Sequence, residues 1–218
     1  ISSRLFDAHA ARAYGATFFS PDRSLQLQMF MIGFVDDSNA CVNDFANPNQ
    51  SPTVLLQRAT ADAQLWNDLL CRSGGALEIP KCAYHLAHYD FSAAGAPVLK
   101  TLPLQQGAVK IREPSKLDPT SLKYLSPYVA RKTLGCSKSP STNFKASLQH
   151  ITSIAKGKSE AVLKNFISAE SAHRYYYSVF LPSVTYSFPT NTIPERHLRK
   201  VQNESIRPIL NRMGYARS

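Results

Sequence analysis

The sequence predicts an α+β chain, with short strands and a few helices up to about residue 142 and an all-α region after it. Three observations carry this. Met29 to Val35 is an almost unbroken apolar run rich in β-favouring residues, and two acids, Asp36 and Asp37, follow it. Leu55, Ala59, Ala63, Trp66 and Leu70 recur with a helical period and make a stripe on a long helix. From Asn143 onward turns give way to another stripe, Phe144, Leu148, Ile151 and Ala155. The 218 residues suffice for one large domain or two small ones, and 44% hydrophobic composition is enough to bury a core.

In chain order, residues 1–14 read as a short helix with Leu5, Phe6, His9 and Ala10 on one side, ended by Gly15. Thr17-Phe18-Phe19 reads as a strand and Ser20-Pro21-Asp22-Arg23 as a turn. Leu25 to Val35 and Ser38 to Phe45 are expected to be the two strands of an acidic hairpin. After the Asn47–Pro52 loop, a helix is expected over residues 53–73, stopped by Gly74-Gly75. Strands are expected over 83–91, 97–104 and 108–112. Residues 113–128 carry Pro114, Pro119 and Pro127 and read as loop. Val129 to Cys136 reads as a strand. The Asn143 helix is expected to break at a Lys/Gly stretch and resume over Ala161–Ile167. Ser168 to Phe180 is expected to be a helix stopped by Pro182. Thr192-Ile193-Pro194-Glu195 resembles a capping box, opening a helix to Met213 that Pro208 should kink or break and Gly214 should cap. No repeat or low-complexity tract is visible.

Charge divides the chain. Residues 1–99 hold 6 Lys+Arg against 9 Asp+Glu, and residues 100–218 hold 19 against 6, within a net charge of +10. A strongly basic half argues for a polyanionic partner, against the plainer reading of a solvated face. No run approaches 18 apolar residues, so no membrane partner is expected. With no charged-then-apolar leader, an intracellular location, cytoplasmic or nuclear, is expected. The spacing of Cys41, Cys71, Cys82 and Cys136 suggests no disulfide framework. Cys82, His85 and His88 would not converge from one strand, which argues against a metal cluster there.

Asp36 and Asp37 at a hairpin tip aim two carboxylates at one point. Hard oxygen ligands suit Mg2+, the ion of nucleotidyl transfer. The plainer reading is a polar turn, since Asp favours turns.

Phe34-Val35-Asp36-Asp37 resembles the aromatic-x-Asp-Asp box of reverse transcriptases. Gly74-Gly75-Ala76-Leu77-Glu78-Ile79-Pro80-Lys81-Cys82 resembles the Gly…Lys-Cys segment that follows the box in retroelement polymerases. Lys132-Thr133-Leu134-Gly135 resembles their strand near the primer grip, and Leu181-Pro182-Ser183-Val184-Thr185-Tyr186 a segment of the helical region behind the palm. Each motif alone is weak; the four fall in the family's order and span about residues 1–215.

The resemblance implies an RNA-directed DNA polymerase of a retrotransposon. Its fold would be a partial palm, an antiparallel sheet with packed helices over 1–142, followed by a thumb-like helical region over 143–218. Asp36 and Asp37 would be catalytic and hold Mg2+ in a two-metal site, and Lys81 would approach the dNTP triphosphate as a general acid. Lys81 also reads as a solvated strand-entry lysine. Phe34 reads most safely as core. An RNA or DNA template with primer would be the partner, its phosphates tracked by Lys145, Arg196, Arg199, Lys200 and Arg207. Tyr175-Tyr176-Tyr177 could stack on bases, with two of the three expected to pack against Phe166 and Phe180.

The third carboxylate of such a site has no recognisable motif here. Asp7 is read on a helix and Asp22 in a turn, and the fingers and first metal-binding strand are not seen. The chain is therefore expected to be a C-terminal palm-plus-thumb portion, inactive alone, with one ligand supplied from upstream. Two alternatives stand beside it. One is a non-catalytic nucleic-acid-binding relic, and the other a Mg2+-dependent nuclease that would need Asp44 or Asp90 near Asp36.

Overall fold

The computed structural model describes residues 2–34, 37–44, 51–100, 109–114, 116–133, 136–188 and 192–215. The chain is α+β and divides into two compact units, Ile1–Pro127 and Tyr128–Ser218. The change of texture at Asn143 marks where the later helices begin, at Lys145. The unit that contains them begins at Tyr128 and carries a strand hairpin as well.

In the first unit, helix α1 (Ser2–Ala10) packs on the long helix α2 (Pro52–Arg72). Ser51 caps α2 by accepting the Thr53 N–H at 3.3 Å, and Pro52 opens it, where a missing N–H costs nothing. Gly74, at φ +86°, closes it, with the Gly75 N–H returning to the Leu70 carbonyl at 2.9 Å. The buried face is shifted from the predicted stripe. Leu56, Asp62, Trp66, Asn67 and Leu69 are enclosed, because α2 meets partners on more than one side.

Asp62, only 2% exposed, accepts the backbone N–H of Tyr14 at 2.9 Å and of Gly15 at 3.1 Å. Gly15, at φ +65°, turns the chain there out of α1 and into strand β1 (Ala16–Phe19). A buried carboxylate taking two backbone donors is a strong tether, each such bond contributing about 1.5–3 kcal/mol. Gln64 adds a second tether, since its amide both donates to and accepts from the backbone of Arg112.

The strands form six two-stranded pairings among the described residues. The run expected as one strand, Leu25–Val35, splits into β2 (Gln26–Met29), paired with β1, and β3 (Met31–Phe34), paired with β4 (Asp37–Ala40). Each half has a different partner, so continuous apolar character could not reveal the break. Likewise 83–91 divides into β5 (Ala83–His85) and β6 (His88–Phe91). The latter pairs with β7 (Pro97–Lys100). Within the stretch read as loop lie β9 (Thr120–Ser121), which pairs with β8 (Lys110–Ile111), and β10 (Lys123–Leu125), which runs parallel to β5.

The second unit opens with the hairpin β11 (Arg131–Thr133) and β12 (Cys136–Lys138). Helix α3 (Lys145–Lys164) follows, and its buried Ser147 donates to the Ser137 carbonyl at 2.5 Å. The break expected in α3 does not occur. Gly157 is exposed and has open space where a side chain would sit, so it merely lowers helix propensity by about 1 kcal/mol. Helix α4 (Ala169–Tyr175) passes through a π turn (Tyr176–Phe180) into α5 (Leu181–Thr185). Pro182 thus opens a helix instead of stopping one. The wider turn before it, closed by Leu181 N–H to the Tyr176 carbonyl, takes up the ring.

Helix α6 (Glu195–Arg212) runs uninterrupted through Pro208. The carbonyl four residues earlier, which loses its donor, belongs to exposed Glu204 and can bind water. No capping box forms, because the helix begins at Glu195 with Pro194 at its cap, which puts Thr192 before the cap position; Glu195 instead binds Arg199. Gly214, at φ +88°, ends the helix as expected. The core gathers Ile151, Ala155, Val162, Phe180, Val184, Val201 and Ile209.

The β1–β2 turn has a measurable electrostatic signature. Asp22 accepts the Ser20 hydroxyl at 2.5 Å, the Ser24 hydroxyl at 2.8 Å and the Ser24 N–H at 3.1 Å, which lowers its pKa from 3.8 to about 2. The folded value lies below the unfolded one. The turn's contribution is therefore complete above pH 3.8 and is lost as pH falls toward 2. An NMR titration of the Asp22 carboxyl carbon should give a midpoint near 2, and Ser24→Ala should raise it. A midpoint at the ordinary value in the unmodified chain would contradict the turn geometry.

Candidate functional site: an acidic hairpin and a basic helical face

The β3–β4 hairpin is seated by aromatic packing. In β3, Gly33 lies under the ring of Phe6, so close that a Cβ there would fall 2.1 Å from the ring tip. The Phe6 ring in turn lies 5.2 Å from that of Trp66 on α2. A glycine inside a strand marks such a close approach. This is the local reason the Met-Phe-Met-Ile-Gly-Phe run can carry a hairpin against the two helices.

In register, Phe34 lies opposite Asp37. Asp37 is exposed, and no partner among the described residues holds its carboxylate. Asp36 and Val35, and Leu134 and Gly135 of the third motif, lie outside the described residues. Asp44 forms an ion pair with Arg58 at 3.0 Å, and Asp90 is bound to Lys100. Both acids are thus matched to cations, and whether either nears Asp36 lies outside the described residues.

Asp37 has the hard oxygen donors that Mg2+ takes. No group of three or more His, Cys, Asp or Glu side chains suited to a metal ion occurs among the described residues. The described residues therefore do not make up a magnesium centre by themselves. Lys81 ends a short 3₁₀ turn (Ile79–Lys81), is exposed, and binds Glu78 at 2.7 Å. The Cys82 thiol faces the Glu78 carbonyl at 3.5 Å, and His85 Nδ1 lies 3.2 Å from the Ser126 carbonyl, each a local structural partner.

The basic residues are arranged on the second unit. Divided at Pro127, the chain places 11 Lys+Arg and 11 Asp+Glu in the first unit, and 14 Lys+Arg with only 4 Glu in the second. The whole formal charge of +10 thus belongs to the helical unit. Three of its four acids are occupied by neighbours one turn away, as Glu160–Lys164, Glu170–Arg174 and Glu195–Arg199.

On α6, Arg196, Lys200 and Arg207 fall within an arc of about 40° and span about 17 Å of helix axis. Buried Val201, Ser205 and Ile209 occupy the opposite side. All three cations are exposed, with no acidic partner among the described residues. Arg199 differs from them, because its guanidinium is bound to Glu195 at 2.7 Å. Lys145, at the start of α3, is exposed. No helix among the described residues is long and apolar enough to cross a membrane.

The Tyr175–Tyr177 triplet separates as expected in part. Tyr175 and Tyr176 pack against the core, while Tyr177 faces outward. Phe166 takes no part in that core; it is fully exposed, with Arg212 5.9 Å from its ring centroid. The sequence reading missed His173, one turn before Tyr177, with ring centroids 4.9 Å apart. Its i, i+4 spacing was the available signal.

The chain matches no known protein family, no curated protein and no solved structure.

The seating of the hairpin can be tested with Trp66, the single tryptophan of the chain. Gly33→Ala should destabilise the first unit by about 1–3 kcal/mol in denaturant unfolding followed by Trp66 fluorescence. Adding Phe6→Leu should recover part of that loss. Strict additivity of the two changes would contradict the contact.

Proposed function

We propose that this chain is the palm-and-thumb portion of a reverse-transcriptase-like, RNA-directed DNA polymerase of a retrotransposon, inactive by itself. The observation that carries the reading is the β3–β4 hairpin. Phe34 stands opposite Asp37 in register, which supports reading the first and last residues of the aromatic-x-Asp-Asp box as partners across a hairpin. The order of the four motifs and the charge of the second unit support it further.

In this reading Asp36 and Asp37 hold Mg2+ together with a carboxylate supplied from elsewhere in the enzyme. The magnesium ions would activate a primer hydroxyl and neutralise the departing pyrophosphate. Lys81 could serve the triphosphate only by exchanging Glu78 for it. Arg196, Lys200 and Arg207, with Lys145 and Arg199, hold the template–primer phosphates. Two-metal catalysis needs its ligands complete, so the 218 residues alone bind but do not extend.

A second reading, a non-catalytic nucleic-acid-binding module, is favoured by one observation: the whole charge of +10 lies on the second unit, and such a face needs no metal site to bind a polyanion. Titration with Mg2+, read at Asp36 and Asp37 by NMR, separates the two. Binding at millimolar metal favours the polymerase portion and no binding favours the module.

For the polyanion face, affinity for a template–primer with a single-stranded overhang should fall steeply with salt. Lys200→Ala with Arg207→Ala should lower the log–log slope by about 1.4–1.8. Arg199→Ala should change it less, since Glu195 already holds that charge. An unchanged slope in the double variant would remove α6 from the interface. Robust primer extension by the purified chain, abolished by Asp36→Ala, would overturn the claim that it is inactive alone.

A further inference from the structure

The helical unit carries an aromatic ladder that leads from its core to its surface. Phe180, 2% exposed, belongs to the core cluster. Tyr176 stacks on it with ring centroids 5.7 Å apart and planes inclined 20°. Tyr177 meets Tyr176 edge-on at 4.9 Å and 85°. His173 also lies 4.9 Å from Tyr177, its ring inclined 50°. Tyr177 nevertheless remains 57% exposed. Leaving so large a ring in water forgoes the gain from burying it, while the contacts with His173 and Tyr176 fix its orientation before any ligand arrives.

The backbone contributes as well. The π turn Tyr176–Phe180 lies between α4 and α5; Tyr176 packs against the core and Tyr177, the next residue round the helix, faces outward. Insertions of this kind recur at functional sites. The surroundings fit an anionic ligand with an aromatic part. Arg174, next to His173, is largely exposed even while paired to Glu170, and the unit's charge is +10.

From this we infer that Tyr177, buttressed by His173 and Tyr176, is a stacking platform for an unpaired nucleobase. The helical unit accordingly binds single-stranded nucleic acid in preference to duplex. This rests on the reading of the second unit as a nucleic-acid-binding surface and adds the form of nucleic acid it selects. Cations alone recognise phosphate in either form, whereas an exposed ring face gains only from a base that is not already stacked in a helix.

The test uses the full chain and fluorescence anisotropy with three probes of equal length: a single-stranded oligonucleotide, its duplex, and a single strand carrying abasic sites. The unmodified protein should bind the single strand roughly tenfold more tightly than the abasic strand. Tyr177→Ala should lose that advantage while keeping its affinity for duplex and its salt slope, and Tyr177→Phe should retain the advantage. Equal affinity for normal and abasic strands, or an advantage that survives in Tyr177→Ala, overturns the platform but leaves the basic face standing. Absence of binding to all three probes overturns both.

Discussion

The close approach of α3 and α6 is the constraint on which the helical unit depends. Small residues line it. Ala155, Ser159 and Ser205 are all buried, and the Ser159 hydroxyl lies against the carbonyls of both Ala155 and Ser205. It has one proton to give and so satisfies one carbonyl at a time. Larger side chains would force the helices apart, and a nonpolar one would leave no donor at the seam. With that line fixed, Val201, Ser205 and Ile209 must face inward, and helical period alone then turns Arg196, Lys200 and Arg207 outward. The basic stripe is thus a consequence of the seam, and its cations share one face because the opposite face is committed.

The first unit is held differently. Its helices are tied to the strands by polar tethers from α2, Asp62 to the turn at Tyr14–Gly15 and Gln64 to the backbone of Arg112. Its pairings are short and two-stranded among the described residues. Phe6, between Trp66 and Gly33, is the aromatic link that seats the hairpin carrying Asp37. Catalysis of nucleotidyl transfer asks more of such a hairpin than seating, since it needs further carboxylates converging from neighbouring strands. The proposal that the chain acts as part of a larger polymerase follows from that chemical requirement.

Much of the helical framework was legible in the sequence, because it depends on local signals. Helix α2 shows its helical period and its closing Gly-Gly pair, although its enclosed side is shifted and Pro52, read as loop, opens it; α6 shows its amphipathic period and Gly214. What was not legible depends on partners distant in sequence. Nothing local at Phe30 divides β2 from β3; the division follows from pairing with β1 on one side and β4 on the other. Pro182 and Pro208 were read as breaks by their usual effect, which a preceding π turn and a solvated carbonyl respectively relieve. Asp62 reads as an ordinary polar position on a helix until its two backbone donors, nearly fifty residues away, are brought to it. At the candidate site, the outward cations of α6 could be read from spacing, whereas the outward turn of Tyr177 could not, because three consecutive tyrosines give no period.

In the proposed reading, the helical unit is the part that binds nucleic acid. Photo-cross-linking with an oligonucleotide carrying 4-thiothymidine, followed by peptide mass mapping, tests it most directly. Adducts are expected on the outward face of α6 and on the His173–Tyr177 segment, with few in residues 2–100. Adducts concentrated on the first unit, or none above a bovine albumin control, would contradict it.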